Sequence, residues 1–213
     1  MSGDKAAMRK AIRSVMRHIP GSALTSASEL ACARAAALCD SATAVSVFLP
    51  MPVGEVDTGP LLSTLFAAGK RVFVPRVEGD SRHDMRMLHV ADPSALASFP
   101  RSKWGIPEPT DEQASAMEDG LAAAVIDLVI VPGVAFDTQC LRLGQGKGFY
   151  DTWLAKLADA RSERGLPPAR TVGLGLAEQL VDRVPVDVHD LPLDYVCLPS
   201  QTLSRPDAPP TSG

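Results

Sequence analysis

The stretch Asp127–Arg161, DLVIVPGVAFDTQCLRLGQGKGFYDTWLAKLADAR, decides the fold. It opens on DLVIVPG (Asp127–Gly133), a short apolar, β-branched run stopped by Pro132 and Gly133, which reads as a buried strand. It closes on YDTWLAKLADAR, which reads as a helix. Between them Gly144, Gly146 and Gly148 alternate, a spacing that no helix or strand interior selects. Strand, glycine-rich loop and helix in succession set the pattern for the rest of the chain.

Working outward, the same alternation recurs. Residues 4–18 form an amphipathic helix: Lys5, Arg9, Arg13 and Arg17 make a basic ridge, and Met8, Ile12, Val15, Met16 and Ile19 mark another face. An Ala- and Leu-rich helix follows from Ser22 to Leu38. Val45–Pro50 reads as a strand, and the segment from Pro60 as a helix stopped by Gly69. Arg71–Val77 and Met85–Val90 are strands, and Ala91–Pro109 is loop-like. Thr171–Ala177 and Asp194–Pro199 supply the last strands. The expectation is an α/β, three-layer sandwich with a largely parallel central sheet flanked by helices. Residues 1–200 are expected to form a single catalytic domain and 201–213 a disordered Pro/Ser-rich tail. In such folds ligands sit at the carboxyl ends of strands, which singles out the segments after Pro50, Val77 and Gly133.

Composition narrows the class without naming a chemistry. The chain has 213 residues, 46% hydrophobic and 22% charged, with a formal charge of −4 and therefore no global basic field for nucleic acid. No apolar run approaches the ~20 residues of a membrane span. The cysteines, Cys32, Cys39, Cys140 and Cys197, form no CxxC pair, and a reducing cytoplasm fits them. The basic first helix leaves a mitochondrial presequence as an alternative, against which Asp4 argues. His18, His83, His89 and His189 lack metal or triad spacing and read as surface or loop residues.

The glycine loop carries the strongest chemical signal. Its backbone N–H groups can approach an anion closely, Arg142 and Lys147 add positive charge, and the following helix points its N-terminal dipole at the same place. That is the physics of a phosphate cradle. Neither the Walker A loop nor the dinucleotide fingerprint fits: Gly148 follows Lys147 where Ser or Thr is needed, and Phe149 takes the last glycine position of the fingerprint. GLGLAE at Gly173 also misses. Asp151, in the first turn of the helix, is either a dipole-stabilised residue or a Mg²⁺ ligand completed by phosphate oxygens and water. Glu55, between a strand end and a helix start, is either an exposed cap neighbour or a carboxylate facing a cleft. Trp104 offers a flat apolar surface on a loop, which must pack or bind a ring. Asp190 and Asp194, in VHDLPLD, read as turn or helix caps.

Together these segments resemble the 5-formyltetrahydrofolate cyclo-ligase family, also called methenyltetrahydrofolate synthetase. The pieces that carry the likeness run in order from Lys5 to about Val196: KAAMR, FLPMPVGEVDT, AAGKRVFVPRV, HDMRML, SKWGIPEP, DLVIVPGVAFD, RLGQGKGFYD and PVDVHDLPLDYV. The resemblance implies ATP- and Mg²⁺-dependent closure of 5-formyltetrahydrofolate to 5,10-methenyltetrahydrofolate, with ADP and phosphate released. It places Lys5, Arg9, Arg142, Gly144, Gln145, Gly146, Lys147, Gly148, Phe149 and Tyr150 against ATP, with Lys147, Arg142 and Tyr150 as catalytic groups. Asp151 and Asp190 correspond to magnesium ligands. Met51, Glu55, Trp104 and the loop from Gln145 to Phe149 correspond to the folate side.

Three departures from the family pattern stand out. Position 145 is Gln where Arg or an aromatic residue is frequent, Thr152 replaces a common Arg, and MPVGE carries an extra residue. The partners expected are small molecules, with no nucleic acid and no membrane, bound by a monomer. A non-catalytic nucleotide- or folate-binding regulator is the alternative, disfavoured by the presence of Lys147, Tyr150 and Asp151.

Overall fold

The computed structural model describes residues 2–186, 190 and 192–210. In chain order its elements are α1 (Ser2–Met16), α2 (Gly21–Leu38), β1 (Ala44–Ser46), α3 (Gly59–Ala67), β2 (Arg71–Val77) and β3 (Met85–Val90). Then come α4 (Pro93–Ala97), α5 (Asp111–Ala116), α6 (Gly120–Ala123), β4 (Leu128–Val131), β5 (Ala135–Phe136) and β6 (Arg142–Leu143). The remainder is α7 (Phe149–Glu163), β7 (Arg170–Leu174), a 3₁₀ turn at Ala177–Gln179, β8 (Tyr195–Cys197) and β9 (Thr202–Ser204).

Among the described residues seven strands make one sheet in the order β3-β2-β1-β4-β7-β8-β9. The interior pairs β1–β2, β1–β4, β4–β7 and β7–β8 are parallel, and the edge pairs β2–β3 and β8–β9 are antiparallel. Side chains alternate between the faces, as the strand period of two requires. Val45, Val72, Val74, Leu128, Ile130 and Val172 pack beneath α2 and α3, with Ala31, Cys32, Leu61 and Leu65. Phe73, Val129, Val131 and Val196 face the other way, onto Trp153 and Leu157 of α7. Helices thus cover both faces, giving the three-layer, largely parallel sandwich expected.

The chain runs from β1 outward through β2 to β3, then returns to place β4 on the opposite side of β1. The strand order therefore reverses between β1 and β4, and a crevice opens beyond their carboxyl ends. Residues 47–50 and 132–133 line that crevice, directly before the two segments richest in candidate site residues.

Several expectations need correction. Residues 91–109 are not all loop: Pro93–Ala97 is helical, because Asp92 caps it by accepting the Ala95 N–H at 2.8 Å and Pro93 suits the first turn. The tail beyond residue 200 is not wholly without structure. Thr202–Ser204 pairs with β8, and Arg205 holds the buried Asp194 at 2.8 Å. Tyr195 Oη then donates to the Pro209 carbonyl. The same Asp194 accepts the Thr171 N–H at 2.7 Å, so it ties β7 to the chain end and is structural. The glycines of GLGLAE serve packing instead of a ligand. A Cβ at Gly173 or Gly175 would lie 2.7 or 2.8 Å from the ring of Phe136, which is fully buried. His89 stands on β3 with its ring centroid 5.2 Å from that of Phe73, and His189 lies outside the described residues.

Candidate functional site

The loop after β1 brings the first carboxylate to the crevice. Gly54, at φ +82°, turns the chain back so that Glu55 Oε2 accepts the Met51 N–H at 2.9 Å. Just beyond, buried Thr58 donates its hydroxyl to the Phe48 carbonyl at 2.9 Å, which anchors the far end of the loop. Glu55 lines a narrow gap with Phe48, Pro132, Gly133 and Gln179, too tight to hold a water molecule, at the switch point between β1 and β4. Burial pushes its pKa above the ordinary carboxylate range, and the bonds from Met51 and Gln145 only partly oppose this.

The glycine loop arrives from the other side. The β5–β6 hairpin carries it, closed by Val134 N–H on the Leu143 carbonyl at 2.7 Å and by the buried Asp137 carboxylate, which accepts from Gln139 and Leu141. Gln179 holds the bend after β4 by donating to the Gly133 carbonyl at 2.6 Å. Gly146 and Gly148 adopt φ of +99° and +72°, which favours glycine at both. Gly144 does not have a positive φ; its need is space, since a Cβ there would lie 3.0 Å from the Arg142 guanidinium.

Arg142 is a strut. Its guanidinium donates to the Pro132 carbonyl at 3.2 Å and pairs with Asp151, joining the end of β4 to the first turn of α7. Lys147 is exposed and makes no hydrogen bond or ion pair among the described residues. Phe149 and Tyr150 are half-buried at the start of α7. The Tyr150 hydroxyl is buried with no hydrogen-bond partner among the described residues, and that burial pushes its pKa up. An orphaned donor of this kind costs about 1–3 kcal/mol unless a ligand oxygen accepts from it. Trp153, one turn further along α7, is 1% exposed and belongs to the core beneath the helix, so it offers no surface to a ligand.

The basic ridge of α1 closes the site. Residues four apart share a helix face, and Lys5, Arg9 and Arg13 each reach a different part of the cleft. Lys5 Nζ lies 2.6 Å from Asp190, Arg9 Nε donates to the Gly144 carbonyl at 2.8 Å, and Arg13 donates to Gln145 Oε1. Gln145 in turn donates Nε2 to Glu55 Oε1 at 3.4 Å, which links the glycine loop to the loop after β1. The loop of Trp104 joins the same rim, for a Cβ at Gly105 would meet Pro52 Cγ at 2.6 Å. Trp104 is 64% exposed, with Lys103 Nζ 5.6 Å from its ring centroid.

Sequence reasoning missed two cations here. Arg13 was legible as part of the ridge, but not its grip on Gln145. Arg82, in the polar loop between β2 and β3, has Cβ and Cδ 3.8 Å from where a side chain at Gly148 would begin. No local pattern announces that contact, because it depends on how the hairpin folds over α7.

The site offers a hard divalent ion few protein donors. Asp151 and Asp190 are oxygen ligands of the right kind, each held beside a protein cation, Arg142 and Lys5. No group of three metal-ligating side chains occurs among the described residues. A sparse carboxylate pair suits magnesium, which keeps waters and shares phosphate oxygens, and does not suit an all-protein cage. No helix among the described residues is long and apolar enough to cross a membrane.

An open, largely parallel sheet with a cation-rimmed glycine loop facing the Glu55 carboxylate at its switch point defines an α/β protein of the kind that takes small ligands at its strand ends. Comparison narrows this class. The 5-formyltetrahydrofolate cyclo-ligase family model matches residues 1–199, and the chain belongs to that family. It is 34% identical over 152 residues to the mouse 5-formyltetrahydrofolate cyclo-ligase, covering 71% of each chain. It is 35% identical over 157 residues to the Escherichia coli K12 5-formyltetrahydrofolate cyclo-ligase, covering 74% of this chain and 78% of that one. The solved structure of Aquifex aeolicus 5,10-methenyltetrahydrofolate synthetase superposes with a TM-score of 0.72 at 25% identity, over 98% of this chain and 96% of the other.

Proposed function

We propose that the protein closes 5-formyltetrahydrofolate to 5,10-methenyltetrahydrofolate with consumption of ATP, releasing ADP and phosphate. The chemical obstacle is the formamide oxygen, a very poor leaving group. Transfer of the γ-phosphoryl group to that oxygen converts it to phosphate. N10 then attacks the formyl carbon, loses its proton, and the C–O bond breaks with departure of phosphate. Phosphoryl transfer asks the protein for positioning and charge neutralisation more than for covalent help.

The chain supplies those needs in two halves. Lys5, Arg9, Arg142 and Lys147 surround the triphosphate, the backbone N–H groups from Gly144 to Gly148 cradle its oxygens, and Phe149 and Tyr150 lie beside it. Lys147, Arg142 and Tyr150 act at the transferred group, with Tyr150 Oη as a buried donor that lacks an acceptor among the described residues. Asp151 and Asp190 would hold Mg²⁺, which would supply neutralisation of phosphate charge. On the other side Glu55 accepts the N–H groups of the pterin, Met51 fixes Glu55, and Trp104 covers a ring. Gln145 through Phe149 lie between the two ligands. The observation that carries this reading is the Gln145–Glu55 contact, which joins the glycine loop to the Glu55 carboxylate.

All the residues invoked lie on one chain, which suits a monomer. The four cysteines are free and buried, which suits a reducing compartment such as the cytoplasm. The test is direct: purified protein with 5-formyltetrahydrofolate, ATP and Mg²⁺ is expected to generate the methenyl absorbance, and omission of ATP to abolish it. Absence of product with all three present, or product without ATP, overturns the reading.

A further inference from the structure

We infer that Arg13 is a positioning residue for the folate side of this site: it holds the Gln145 carboxamide oxygen, and so fixes the amide with its NH₂ group toward Glu55. The inference rests on the proposed role of Glu55 as the pterin acceptor. It runs against the simpler division in which the cations of α1 all serve the nucleotide.

The geometry is a chain of three hydrogen bonds across three segments. Arg13, on the last turn of α1, donates to Gln145 Oε1. Gln145 Nε2 donates to Glu55 Oε1 at 3.4 Å. Glu55 Oε2 accepts the Met51 N–H at 2.9 Å. An amide has one accepting end and one donating end, whereas a guanidinium only donates. The Arg13 contact therefore selects one of the two orientations of the Gln145 amide, the one that presents N–H to the carboxylate. Gln145 is exposed, so without Arg13 the amide is free to turn over or to leave for solvent. A turned amide would set Oε1 against Glu55, oxygen against oxygen.

The effect on Glu55 is orientational. With one oxygen held by Met51 and the other by Gln145, the carboxylate plane is fixed and its remaining lone pairs are available as a pair. The amino-lactam edge of a pterin offers two parallel N–H donors, which a carboxylate in a set plane accepts together. Arg13 also polarises the amide and strengthens the bond to Glu55. Among the described residues, the titratable and hydrogen-bonding groups that act on Glu55 are Tyr150 from α7, Gln145 from the glycine loop and the Met51 N–H. Of these only Gln145 is under the control of α1.

The experiment separates the two ligands. Arg13→Ala is expected to raise KM for 5-formyltetrahydrofolate about tenfold, the equivalent of one hydrogen bond to a charged group. KM for ATP should change by less than about twofold on the same scale. The acid limb of the kcat/KM profile for the folate should move to higher pH, because burial of Glu55 is then less opposed. Arg13→Lys, which keeps a donor, should recover most of the loss. Gln145→Arg in the Arg13→Ala background should also recover it, since a guanidinium there reaches Glu55 directly. A rise confined to the ATP KM, an unchanged folate KM, or no recovery by either variant overturns the role of Arg13. Equilibrium titration of wild-type protein with 5-formyltetrahydrofolate alone checks the underlying reading. No binding there sinks the folate assignment of Glu55, independently of Arg13.

Discussion

Lys5 and Asp190, 185 residues apart, form an ion pair of 2.6 Å that fastens α1 to the segment before β8. Both side chains are largely screened from water, at 14% and 29% exposure, so the pair holds a helix end across the cleft mouth. It also means that two of the charges assigned to a magnesium triphosphate are balanced against one another before any ligand arrives. The Arg142–Asp151 pair repeats the arrangement on the other wall.

This pairing makes the proposed magnesium requirement testable. Asp151→Asn and Asp190→Asn each remove one hard oxygen charge, from beside Arg142 and Lys5 respectively. The Mg²⁺ concentration for half-maximal rate should rise about tenfold or more in each, as expected when a metal loses a carboxylate ligand or its support. A Mg²⁺ titration of cyclisation rate at saturating ATP measures it. Unchanged metal dependence in both variants would place the metal elsewhere.

Lys147 offers a cleaner cut between chemistry and fold. It is exposed and has no partner among the described residues, so its loss removes no internal contact. Lys147→Ala should leave Tm unchanged while lowering kcat by about 10²–10³, the usual cost of one preorganised donor at developing charge. Full activity in that variant would sink the proposed cradle. A large fall in Tm would show the lysine to be structural.

The sequence made the periodic elements legible and left the long-range contacts hidden. Arg71–Val77 and Met85–Val90 were readable to the residue because alternating β-branched and apolar positions end at polar or glycine signals. The glycine loop before α7 was legible because its glycine spacing excludes regular structure. The inward face of α7 was legible too, since Trp153, Leu157 and Arg161 recur every four residues and are its buried side. The short helix at Pro93 and strand β9 were missed because each is too brief to show a period; cap and ion-pair partners hold them instead. What Arg13, Arg82 and Gly173 touch is set by packing between segments far apart in sequence, and no local pattern encodes it.

The packing of Phe136 gives a prediction on the fold itself. Its ring fills the space left by Gly133, Gly173 and Gly175 at the carboxyl ends of β4 and β7. Gly173→Ala would set a methyl 2.7 Å from the Phe136 ring and 2.9 Å from Leu193 Cδ1, both buried. Overpacking of this kind costs about 2 kcal/mol, or roughly 4–8 °C in Tm for a chain of this length. Phe136→Leu in the same background should recover part of the loss, and a double-mutant cycle from urea melts would show the coupling. Strict additivity of the two substitutions would mean that the glycine is not there for the ring.

Glu55 should display the opposite balance, in which function lowers stability. Burial holds its carboxyl above the ordinary range, so the folded state takes up a proton more readily than the unfolded chain. Ionising such a group costs stability, and the cost grows as pH rises from the unfolded carboxylate range through the raised folded value. Below both values the group is protonated in either state and the cost vanishes. Glu55→Gln is neutral throughout and can still accept the Met51 N–H. Thermal melts should therefore show the variant more stable than wild type at pH 7–8, with the difference fading toward pH 4. The same variant should lose 5-formyltetrahydrofolate binding, because its NH₂ group opposes the pterin donors that the carboxylate accepts. A constant Tm offset across that range would show that ionisation of Glu55 has no part in it. A variant less stable at pH 8 would show that the Met51 and Gln145 bonds outweigh burial, and that the carboxylate is held in the fold at no net cost.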